Sequence, residues 1–322
     1  MTFNKTLLQD FLRIAISLLF IGAFVYFLRD KWHHSFDLLK QMNIRIFAFA
    51  WVLFILTNVL VAIRLKYVLG VQRIWIGFWK VFYYNAVGLF FNLFMPSSLG
   101  GDVVKAYYLS KASGSKLHSI SCVLVDRLLG LVAVVVVAII ACTRMFSDQR
   151  LIWIVAVFAL VFFTSILTLF SRRLSKRFQF FTVLIPTQGL KEKADKFYQT
   201  ILEFRGALPT VALCIFISLI VQVLTIGIGF LVAQSLGMNV PFTVFMFVFP
   251  ITGLISMLPS LGGFGVREFS LTHFLSSYGA ESAAAFALAY DILIYGTGLF
   301  CGILFMIFDR KFSVKKAVLH DQ

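Results

Sequence analysis

Charge is scarce in this chain. Of 322 residues only 13% are Asp, Glu, Lys or Arg, about half the share of roughly a quarter found in soluble domains. Acidic residues are the scarcer kind, 14 against 29 basic ones, for a net charge of +15. The longest polar stretch, about residues 171–208, is too short for a separate catalytic domain of order 100 residues. The four cysteines, Cys122, Cys142, Cys214 and Cys301, all lie in apolar segments and read as small hydrophobic residues, not a disulfide framework or metal site. The alternation of a transmembrane β-barrel is missing, because apolar runs such as Leu131–Ile140 are unbroken. No polar segment interleaves basic and aromatic residues, so nucleic acid is not an expected partner. No Asp-x-Asp pair suits a metal-dependent sugar transferase, no nucleotide loop is framed by a βαβ unit, and Ser97 and Ser98 have no histidine nearby. No cofactor, no metal and no enzymatic activity are expected. A cleavable leader is not visible either, since Tyr26–Asp30 reads as the end of a span.

What remains is hydrophobicity. Apolar residues make up 60% of the chain and the mean hydropathy is +0.93. A span needs about 20 apolar residues, and six candidates qualify: about 12–28, 46–63, 119–142, 151–170, 210–234 and 283–308. The fold class expected is therefore an all-α integral membrane protein, a single membrane domain over 1–322. Two further apolar stretches behave differently. Residues 78–94 run into Pro96, Gly100 and Gly101, and residues 242–257 run into Pro259, Gly262, Gly263 and Gly265. Proline and paired glycine break a helix, and broken backbone at membrane depth survives only inside protein or beside a water-filled cavity. Both stretches thus read as re-entrant helical hairpins, against the alternative of kinked ordinary spans.

Charge distribution supports that reading. With the N-terminus inside and both hairpins re-entrant, the inside segments 1–13, 64–80, 105–116, 171–208 and 309–322 carry 21 of the 29 Lys and Arg, and the outside loops carry six. This excess matches the positive-inside rule. Counting either hairpin as a crossing would put a basic segment outside. The expected location is the cytoplasmic (inner) membrane, multi-pass, with both termini cytoplasmic. Residues 171–208 form a cytoplasmic connector, part of which (187–207) has the look of an amphipathic surface helix.

The two breaks also resemble each other. Pro96-Ser-Ser-Leu-Gly-Gly-Asp-Val-Val-Lys105 aligns with Pro259-Ser-Leu-Gly-Gly-Phe-Gly-Val-Arg267 across one gap. Each lies between two spans, in opposite senses, giving inverted pseudo-repeats of about 46–142 and 210–308. Broken helices at matching positions of an inverted repeat mark a transporter site near the midplane.

Ionisable residues inside membrane segments cost at least ~2.5–3.5 kcal/mol each, yet several flank the breaks. Candidate head-group ligands are Arg127, Arg267, Lys105 and Asn92; candidate charge-balancing or proton-coupling groups are Asp102, Asp126, Glu268 and Asp291. Asn85 and Gln222 are further polar residues there. Guanidinium groups suit phosphate, which their planar fork can hold with two hydrogen bonds. Neighbours on a helix do not face each other, so pairs across the halves, Arg127 with Glu268 or Asp102 with Arg267, are expected in place of Asp126–Arg127 and Arg267–Glu268.

Asn92, Pro96–Asp102 and Lys105, then Asp126-Arg127-Leu-Leu-Gly130, then Pro259–Glu268, together resemble the transmembrane region of lysylphosphatidylglycerol synthase, over about residues 10–310. Asp126 stands where that pattern commonly has Glu. The resemblance implies a stand-alone flippase-like protein: the chain ends at Gln322 without a synthase domain, so lipid movement is expected and aminoacyl transfer is not. Implied partners are membrane lipids (an anionic phospholipid, an aminoacyl lipid or a polyprenyl phosphate), an envelope-lipid synthase, and a second copy of the chain. The competing functions are a membrane-embedded lipid-modifying transferase and a scaffold for a cell-envelope enzyme.

Overall fold

A computed structural model describes residues 32–93, 95, 100–145, 164, 197, 199–256 and 265–320, with side chains to Ile307 in the last helix. The expected spans 12–28 and 151–170, most of the 171–208 connector, and Pro96, Pro259, Gly262 and Gly263 lie outside the described residues. Every described element is helical. In order they are α1 (Trp32–Lys40), α2 (Ile44–Val71), α3 (Phe78–Asn92), α4 (Gly100–Ser113), α5 (Lys116–Met145), α6 (Leu208–Ser235), α7 (Phe242–Ile255), α8 (Val266–Leu275) and α9 (Ala280–His320). A 3-10 turn, Glu203–Ala207, leads into α6.

Four helices are long and apolar enough to cross a membrane: Ile44–Val71, Lys116–Cys142, Gln199–Ser235 and Ala280–Ile307. They carry the four expected spans that fall within the described residues. Their outward faces are apolar at helical spacing, as with Phe49, Val52 and Leu56 on α2, Phe216, Ile220 and Val223 on α6, and Phe300, Ile303 and Ile307 on α9, all exposed. Water would not tolerate patches of this extent; lipid requires them. Trp75 and Trp79, 85% and 78% exposed, flank the α2–α3 turn between Arg73 and Lys80, the composition of a membrane interface.

The other helices are too short to cross. At 1.5 Å per residue, the 15 residues of α3 rise about 22 Å, against a hydrocarbon thickness of about 30 Å; α4 and α7 have 14 residues and α8 has 10. The chain doubles back between α3 and α4. Tyr84 stacks on Tyr108, Asn85 meets Lys105 and Gly88 meets Gly101, so the two short helices are antiparallel. Gly100 and Gly101 were expected to form the turn; they form the first turn of α4 instead. Their need for glycine is steric: a Cβ on Gly101 would sit 2.0 Å from the Gly88 carbonyl oxygen. The second pair is built alike, α7 packing on α8. There Gly265 adopts φ +84° before α8, and the Glu268 carboxylate folds back to accept from its N–H.

Two helices extend past their expected ends. The chain stays helical to Val71 instead of stopping near 63, because Leu65, Val68 and Leu69 continue the buried face. Helix α9 reaches His320, into the expected tail. Helix α2 lies antiparallel along α6, fastened where Asn43 N–H donates to Ser235 O (2.7 Å) and where Arg64 Nη1 donates to Ser218 (2.8 Å), and Gln72 Nε2 donates to Thr200 O (2.8 Å) just ahead of the 3-10 turn. Asn43 also caps α2, its side chain accepting from Arg45 and Ile46. Packing is reciprocal: α3 of the first hairpin rests on α9, and α7 of the second rests on α5. One core cluster gathers around Phe245, Phe286 and Ile228, the other around Leu65, Leu109 and Phe204.

Alanine at Gly101 is expected to lower stability by at least about 1–3 kcal/mol, the cost of overpacking against backbone that cannot turn aside; thermal melting of the protein in detergent measures it.

Candidate functional site

Between the two cores lies a cavity of about 330 Å³. It is lined from α2 by Asn58 and Arg64, from α3 and its end by Asn85, Gly88 and Asn92, from α4 by Asp102 and Lys105, from α5 by Asp126, Arg127 and Gly130, from α6 by Ser218 and Gln222, and from α7 by Gly253 and Leu254. Asn58 on α2 and Gln222 on α6 sit near the middle of their helices, Asp126 and Arg127 a little over a third of the way along α5 and Arg64 three quarters of the way along α2, so the cavity lies within the length of three spans. It holds three cations and two carboxylates, a formal charge of +1.

The pairing is specific. Arg64 grips Asp126 with two hydrogen bonds, Nε to Oδ1 at 2.7 Å and Nη2 to Oδ2 at 3.0 Å. The fork geometry is the strong form of the ion pair, and both side chains are over nine-tenths buried. Asp102 lies between Lys105 (3.1 Å) and the Arg127 Nε, which donates to Oδ2. Lys105 also donates to Asn85 Oδ1 at 3.2 Å. Asn92 Oδ1 accepts from the Gly101 N–H at 2.6 Å and so secures the N-terminus of α4, whose partial positive charge faces the same space. Arg127 is the exposed member, its side chain 36% accessible where those of Asp102 and Lys105 are 10% and 6%. It is the most accessible of the cations that line the cavity.

Arg267, Glu268 and Asp291 do not line this cavity. They form a second cluster between α8 and α9. Arg267 Nη2 donates to Asp291 Oδ1 (2.5 Å), Glu268 Oε1 (2.8 Å) and Tyr295 Oη (3.1 Å), and the guanidinium lies over the Tyr295 ring. Glu268 is fully buried and Asp291 is 6% exposed.

The expected pairs across the halves are replaced by pairs within each half: Asp102 with Arg127, and Arg267 with Asp291. Asp126 and Arg127, adjacent on α5, do turn to different partners, as helical geometry dictates. Arg267 and Glu268 break that expectation, because Glu268 curls back onto the α8 N-terminus and the long Arg267 side chain reaches over it. Sequence reasoning missed Arg64, assigned to a cytoplasmic loop with Lys66. The signal was present, since Val61, Ala62, Leu65 and Val68 carry the apolar face straight through it. Asn58, Ser218 and Tyr295 carried no such signal. Lys105, counted as an inside-loop cation, is 5% exposed within the cavity; moving it and Arg64 inward leaves the positive-inside excess intact.

Removing one partner of a buried ion pair strands the other. Asp126→Ala is therefore expected to cost about 3–5 kcal/mol. The double replacement of Arg64 by Met and Asp126 by Leu is expected to restore most of that loss in denaturant or thermal unfolding.

Known protein families place the chain among membrane proteins of lipid metabolism. Residues 11–302 match the family described as the lysylphosphatidylglycerol synthase TM region, a stretch containing both charged clusters and both short-helix pairs. Comparison with curated proteins gives no match. The chain belongs to the lysylphosphatidylglycerol synthase transmembrane-region family.

Proposed function

We propose that the protein is a lipid translocase of the cytoplasmic membrane, moving a lipid with an anionic, phosphate-bearing head between leaflets through the charged cavity. The observation that carries this reading is the cavity itself: a net positive, polar space within the length of three spans, with Arg127 as its most accessible cation. A charged head at the bilayer centre costs at least ~2.5–3.5 kcal/mol per charge. A space that offers Arg127, Lys105 and the α4 N-terminus replaces the lost hydration while the acyl chains stay in the bilayer. Asp102 and Asp126 would face the amine of an aminoacylated head. No bond is made or broken in this scheme.

The architecture supports the reading. The order long helix, two short helices, long helix occurs twice, and the contacts keep their pattern when α2–α5 are exchanged for α6–α9. The equivalent helices α2 and α6 run antiparallel, which is what an inverted repeat requires of them. In this scheme the α3–α4 hairpin enters and leaves on the basic, cytoplasmic side, between Trp79 with Lys80 at one end and Lys111 at the other, and the α7–α8 hairpin enters from the opposite side. Such pairs of broken helices meet at a midplane site.

The test is a transbilayer assay in vesicles carrying the purified protein and a fluorescent phosphatidylglycerol. The wild-type protein is expected to speed exchange over empty vesicles. Arg127→Ala is expected to slow it at least about tenfold, the effect of losing one charge-assisted hydrogen bond. Exchange no faster than in empty vesicles rejects translocation; wild-type exchange in Arg127→Ala rejects the cavity as its route.

A further inference from the structure

The second cluster is left one charge short. Its ionisable members are one cation, Arg267, and two carboxylates, Glu268 and Asp291, which gives a formal charge of −1 deep within the helix bundle. Burying an unbalanced charge is costly enough that proteins neutralise it by a proton, a partner or a metal ion. Among the described residues no group supplies the balance. The groups facing the carboxylates from α8 and α9 are Arg267, Tyr290 and Tyr295. Helix α7 has no ionisable side chain, and the one thiol of α6, Cys214, is turned to the Arg64 carbonyl. Helices α1, α2 and α3 reach α9 elsewhere, at Glu281, at Gly296 and Thr297, and at Gly298 and Gly302.

A second observation points to the same place. Asp291 Oδ2 is buried and has no hydrogen-bond partner among the described residues, and the same is true of Arg267 Nε. Asp291 Oδ1 and Glu268 Oε1 share a single donor nitrogen at 2.5 and 2.8 Å. The two carboxyl groups therefore converge, with one oxygen of Asp291 unoccupied. A proton on Asp291 Oδ2, or a small cation beside it, would bring the cluster to neutrality. An associated water could accept from Arg267 Nε.

We infer that the Arg267–Glu268–Asp291 cluster is a binding site for one monovalent cation, a proton or a sodium ion. The site deepens the translocase reading by naming its coupling ion. Its role in coupling rests on that reading, while the binding itself does not.

The test uses the purified full chain in detergent and needs no transport. Melting temperature is recorded in sodium chloride against choline chloride at constant ionic strength, and then in choline across a range of pH. A ligand that binds only the folded state raises its stability. A sodium site gives a rise of about 2 °C or more in sodium over choline. A proton site gives a different signature. The folded chain then binds more protons than the unfolded one, so stability declines as pH rises. Either response, lost in Asp291→Asn and retained in the surface control Asp37→Asn, supports the site and identifies the ion. A wild-type chain showing neither response overturns it, whatever the variants do, and so does a response that persists in Asp291→Asn. Vesicles that move no lipid, with the stability response intact, would reject translocation and leave the cation site standing.

Discussion

An ion inside a bilayer must be answered by another, and this requirement organises the whole molecule. Arg64 and Asp126 lie 62 positions apart in the chain, on helices otherwise joined by apolar contacts and the weak donation of the Cys122 thiol to the Val68 carbonyl. Lipid offers side chains no hydrophobic reason to prefer each other over acyl tails. The two-pronged grip of guanidinium on carboxylate therefore sets the register of α2 against α5, and Ser218 adds α6 to the same point. Around that fixed centre, Asp102 draws the tip of the first hairpin toward α5 through Arg127. The cavity is the space left where these paired charges cannot close on themselves.

The two halves solve the same electrostatic problem with opposite surplus. Among the described residues the first cluster sums to one positive charge and lines a cavity. The second sums to one negative charge and is buried. Each joins a long helix to the start of a short one, α5 to α4 through Arg127 and Asp102, and α9 to α8 through Asp291 and Arg267.

Much of this was legible in the sequence. The long apolar runs marked the four described spans, and Pro and Gly after short apolar runs marked where α3 and α7 end as short helices. What could not be read was pairing. A helix places a residue on a face, but which partner lies opposite depends on how helices rotate against each other, and that is set by packing. Hence Arg127 finds Asp102 within its own half, not Glu268 across the molecule. Arg64 was hidden for a related reason. A lone arginine beside Lys66 looks like the wet end of a span until its buried counter-ion is known. Gly101 serves another use than the one expected of it, since it allows backbone to approach backbone instead of reversing the chain.

The long contact between α2 and α6 is bonded at one end by Asn43 with Ser235 and along its length by Arg64 with Ser218, and the end of α2 is held by Gln72 to Thr200, just ahead of the 3-10 turn that leads into α6. Within hydrocarbon no water stands ready to replace a severed hydrogen bond. This line thus behaves as a spine: the two halves cannot slip lengthwise past each other without breaking several bonds at once.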